Sequence, residues 1–110
     1  MIRVLASTVA LAMSLFAAAP VQAQSVGNAD KGRAFAEKRC AECHAILRDD
    51  EASPLSAATP FTVIARIPGM TETALSVFFR TPHAMMPNLV LEGEEMDDVI
   101  AYITSLRAAR

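Results

Sequence analysis

The chain has 110 residues, with 10 basic side chains against 12 acidic ones, two histidines and two cysteines. That length suits one domain. A net charge of −2 gives no basic field for nucleic acid to bind, which excludes that class of partner.

Residues 1–23 do not read as part of the domain. Met1-Ile2-Arg3 is a short basic start, residues 4–19 are almost wholly apolar, and Val21-Gln22-Ala23 gives a small-x-small site. This order is that of a secretory signal peptide cleaved after Ala23. A retained anchor is the competing reading, but the apolar run is short for a bilayer and Pro20 closes it. Cleavage removes one basic residue, Arg3, and no acid, so 87 residues remain with a net charge of −3. The domain is therefore residues 24–110, periplasmic and without a membrane span. A chain this small, with no Trp and one Tyr, holds a marginal core and needs a disulfide, a metal or a cofactor as a staple.

Asn28 is a good N-cap, and a first helix is predicted through residues 30–39, with Gly32, Phe35, Ala36 and Cys40 on one side. Residues 47–59 read as loop, with the acidic run Asp49-Asp50-Glu51 as a solvated turn. A short helix is expected over 61–67, stopped by Pro68-Gly69. Thr71 caps the next, over 72–80, with Leu75, Val77, Phe78 and Phe79 facing inward in part. Residues 81–91 form a loop containing His83, Met85, Met86 and Pro87. The last helix is predicted over 93–107. Met96, Val99, Ile100, Ile103 and Leu106 make its apolar stripe, Glu92, Glu94 and Glu95 lie at its positive end, and Arg107 and Arg110 at or beyond its negative end. No segment alternates as a strand would. The fold class expected is all-α.

Cys40-Ala41-Glu42-Cys43-His44 is C-x-x-C-H, the attachment signature of haem c. Two intervening residues bring both sulfurs to one porphyrin edge, where they can add across its vinyl groups. The adjacent histidine then lies under the iron as an axial ligand, its other ring nitrogen held by a backbone acceptor. The competing readings are weaker. Zinc would need both cysteines with His44 and His83, at unusual spacing. A thioredoxin-like dithiol wants a βαβ setting, and a disulfide across two residues would be strained. The second axial ligand must come from far along the chain. Met86, in a polar loop just before Pro87, is the leading candidate, with Met85 and then His83 behind it, whereas Met96 and Met70 read as core filler.

These residues resemble the class I cytochromes c of bacterial periplasms. The likeness rests on Gly32 eight residues before Cys40, on the C-x-x-C-H run, on Met86-Pro87-Asn88-Leu89 and on Asp98-Val99-Ile100-Ala101-Tyr102-Ile103. It implies three to five helices wrapped around one covalent haem, with the first and last helices crossing at Gly32 and with Phe35 and Tyr102 packed near the crossing. It also implies a proline carbonyl, from Pro54 or Pro60, as the acceptor for the histidine ligand, although Thr59 stands where a proline often does. The function expected is one-electron outer-sphere transfer to and from redox partner proteins. The iron would be held by His44 and Met86, the protein a monomer or in transient complexes and not an enzyme. The alternatives are a haem-binding subunit of a larger periplasmic oxidoreductase, and a haem-based gas sensor with an open axial position.

Overall fold

A computed structural model describes residues 25–82, 85–86, 89 and 91–108. The leader reading over residues 1–23, and the readings of His83, Pro87, Asn88 and Arg110, lie outside the described residues. Within them the chain is all-α, with four helices and no strand: α1 (Ala29–Arg39), α2 (Phe61–Arg66), α3 (Glu72–Arg80) and α4 (Gly93–Ser105). None of these is long and apolar enough to cross a membrane.

Each boundary has a local cause. The Asn28 side chain accepts from the Lys31 amide at 3.0 Å and starts α1. Thr71 does the same for α3, accepting from the Ala74 amide at 3.1 Å. α2 stops at Arg66, one residue earlier than expected. Ile67 precedes Pro68, whose ring disfavours helical backbone before it, and Ile67 is extended at ψ 125°. Gly69 then turns the chain at φ +79°.

α1 and α4 cross in close contact. A Cβ at Gly32 would fall inside the backbone carbonyl of Asp98, and one at Gly27 inside that of Asp97. The Asn28 amide donates to the Asp98 carboxylate at 2.7 Å, pinning the start of α1 to α4. The core runs along α4, where Met96, Val99, Ile100, Ile103 and Leu106 are buried as the stripe predicts. Ala36, Cys40, Ile46, Phe61, Ala65, Leu75 and Leu91 complete it, with Phe35 half-buried against it.

Three expectations are corrected. On α3, Leu75 is buried and Phe79 half-buried, but Val77 and Phe78 are 58% and 53% exposed. Four apolar residues within five positions cannot share one face of a helix, and the pair four apart wins the core. α4 ends at Ser105, not at Arg107. Carbonyls at and just beyond its end accept from Arg48, whose guanidinium reaches Ser105, Leu106 and Ala108 at 3.0, 3.2 and 2.7 Å. Arg107 instead turns away to the Ala65 and Met70 carbonyls, tying the end of α2 and the turn after it to the end of α4.

Candidate functional site

The site begins where α1 runs out. The Cys40 amide still closes a helical bond to Ala36, and the next residues continue as tight turns, with the Cys43 and His44 amides both donating to the Cys40 carbonyl at 3.1 and 2.9 Å. Positions 40, 43 and 44 are therefore at i, i+3 and i+4 of one helical turn, the spacing that puts side chains on one side. The two sulfurs are not bonded to each other. Cys40 is buried and Cys43 half-buried. Burial pushes the Cys40 thiol up to about 11, against a smaller pull from Arg39 and with a slight push from Cys43.

His44 is oriented by the loop that follows it. Its Nδ1 donates to the Thr59 carbonyl at 2.7 Å. The acceptor is a carbonyl, so the proton is on Nδ1, and Nε2 keeps its lone pair for a metal. The acceptor expected was Pro54 or Pro60, and it is the residue between them in the chain that provides the oxygen.

The loop is held for this task at several points. The Ala45 amide donates to the Ser53 hydroxyl at 2.9 Å, and the Leu47 amide to the Asp50 carboxylate at 2.9 Å. The Leu55 amide reaches the Cys43 carbonyl at 3.1 Å, and the Phe61 amide the Ala45 carbonyl at 2.9 Å. Asp50 is thus a turn cap as well as part of an acidic run. The Phe61 ring sits tilted against His44, centroids 5.5 Å apart, and against Tyr102 at 6.4 Å. The buried Tyr102 hydroxyl donates to the Ile46 carbonyl at 2.7 Å. One stack therefore runs from the imidazole through α2 to α4.

Of the methionines in the later loop, Met85 is 76% exposed with left-handed backbone at φ +69°, and Met86 is half-buried. Leu89 packs against the core. Met96 is 3% exposed on α4 and Met70 is partly buried against the core, so both are packing residues as expected. Among the described residues no three His, Cys, Asp or Glu side chains gather to share a metal ion, which leaves the zinc arrangement without a ligand set there. The donors present, two thiols on one turn and an imidazole held through Nδ1 with Nε2 left to donate, suit a haem instead. Sequence reasoning singled out Thr59 as standing where a proline often does without naming its carbonyl as the acceptor, and it missed Ser53 and Arg48. Main-chain acceptors carry no side-chain signature, and a serine or an arginine in a loop names no partner until the fold supplies one.

The chain is similar to Cytochrome c-552 of Bradyrhizobium diazoefficiens (strain JCM 10833 / BCRC 13528 / IAM 13628 / NBRC 14792 / USDA 110), with 34% identity over 80 residues, covering 73% of this chain and 76% of the relative. No family model matches the sequence, and no solved structure matches it. With C-x-x-C-H at the end of α1, an oriented imidazole behind it and that relative aligned over most of both chains, this protein belongs to the c-type cytochromes.

Proposed function

We propose that the protein is an exported one-electron carrier, cleaved after Ala23, that holds a single haem c through thioether bonds from Cys40 and Cys43 with His44 and Met86 as axial ligands. The observation that carries this reading is the His44 Nδ1 to Thr59 carbonyl bond. It fixes the tautomer and the ring angle and leaves Nε2 as the donor. When bound, the haem supplies an iron that alternates between ferrous and ferric states at nearly constant geometry.

The chain's own residues do the rest. Cys40, neutral and buried, and Cys43, nearer solvent, anchor the group at the end of a rigid helix. The Phe61 ring packs against the imidazole and is itself backed by Tyr102. The left-handed turn at Met85 sends its side chain to solvent while Met86 is half-buried, which favours Met86 over Met85 as the second ligand. A thioether is a soft ligand that favours reduced iron. Two protein ligands leave no position for a substrate, so the role is transfer rather than catalysis. Partners would be extracytoplasmic redox proteins met through small, short-lived contacts, as weak redox encounters are.

Absorption spectra of oxidised and reduced protein test the ligation. The wild type should show a low-spin, six-coordinate haem with the methionine-to-iron charge-transfer band. Met86→Ala should lose that band, open the sixth position to carbon monoxide and lower the potential. Survival of both band and potential in Met86→Ala would move the ligand to Met85 or elsewhere.

A further inference from the structure

Met85 is the one non-glycine residue with positive φ among the described residues, and its side chain is 76% exposed. Both features are unfavourable for methionine. L-residues avoid the left-handed region, and an apolar thioether in water gains nothing from burial. The other methionines outside the leader are placed differently. Met96 is 3% exposed in the core, Met70 is packed against the core and Met86 is half-buried. The backbone turn therefore sorts two adjacent thioethers, one to solvent and one inward.

Thioether oxidation follows access to the sulfur lone pair, and its product is a polar sulfoxide. At Met96 that product would place a polar oxygen in the core with no partner. At Met85 water solvates it. We infer that Met85 is a methionine-oxidation site, the sulfur that a hydroperoxide reaches first, and that its sulfoxide leaves the fold intact. In the step, the sulfur lone pair attacks the terminal peroxide oxygen, an S–O bond forms and the O–O bond breaks. Sulfur is oxidised by two electrons, and the peroxide is reduced to water or an alcohol after proton transfer. The proposal rests on the exposure of Met85 and on the reading above that Met86, not Met85, is the iron ligand.

The test is oxygen mapping on the haem-loaded protein as isolated. The protein is treated with sub-stoichiometric tert-butyl hydroperoxide, quenched and digested, and fragment ions separate Met85 from Met86. Met85 sulfoxide should form roughly tenfold faster than Met96 sulfoxide, in line with access, and the visible spectrum should not change during that phase. In Met85→Leu the fast uptake of one oxygen should vanish while the spectrum stays that of wild type. Oxidation of Met70 or Met86 ahead of Met85, or uptake by Met85→Leu at the wild-type rate, would overturn the proposal. Loss of the charge-transfer band as Met85 is oxidised would make Met85 the iron ligand and overturn both readings, whereas oxidation of Met70 first with the band intact would overturn this one alone.

Discussion

Tyr102 is the chain's one tyrosine, and its hydroxyl is buried with the Ile46 carbonyl as acceptor. Burial raises its pKa above the ordinary 10, a push that Arg33 partly offsets. The neutral form is the one favoured in the fold, so the native state keeps its proton over a range where the unfolded chain has lost it. This stability is fully present below about pH 10 and declines as pH rises through the native pKa. Alkaline titration of tyrosinate absorbance should therefore show ionisation later in the folded protein than after denaturation. Tyr102→Phe removes the donor and leaves a buried carbonyl unpaired, which should cost about 1–3 kcal/mol in denaturant melts. A change under 0.5 kcal/mol, roughly the scatter of surface substitutions, would mean that water replaces the hydroxyl. At this scale the sequence names candidates wherever a residue carries its own chemistry, as Cys40, Cys43 and His44 do. It names Thr59 only as standing where a proline often does and does not choose its carbonyl, because every residue has one and only the loop path decides which is near His44.

The crossing of α1 and α4 is the element contact on which the site depends, since Cys40 follows the last residue of α1. Gly32 allows it by having no Cβ to meet the Asp98 carbonyl. The obstacle there is backbone, which cannot rotate aside as a long side chain would. Gly32→Ala should therefore destabilise by about 2–3 kcal/mol through overpacking, despite the better helix propensity of alanine. Thermal melts of haem-loaded wild type and variant measure it, and an equal or higher Tm for the variant would show that the helices can slide apart without loss. Helix positions were largely legible. Asn28 and Thr71 announce starts, Pro68 announces a stop, and the stripe from Met96 to Leu106 is buried as its spacing demands. The inward face of α3 was misjudged because its apolar residues run consecutively, so period alone cannot say which pair meets α4. Arg107 lies just beyond the negative end of α4, as expected, but the hydrogen bonds there come from Arg48, 57 to 60 residues away in the chain, a partner that local sequence cannot name.

For the molecule as a whole, a single small core is assembled along α4 and contains one large aromatic ring beside Tyr102, that of Phe61. A domain of this size gains much of its stability from whatever it binds, and the turn at the end of α1 carries two thiols and an imidazole held through Nδ1. The electron-carrier reading thus joins export, attachment and folding. In that proposal a leader would take the chain to where haem c is assembled, the haem would complete the core, and the held iron would exchange electrons. All three meet in one number, the intact mass of the protein recovered from the extracytoplasmic fraction, recorded under denaturing conditions. The account predicts the mass of residues 24–110 plus one haem that denaturation does not release. A mass equal to the polypeptide alone, with the haem lost on unfolding or never present, would contradict it.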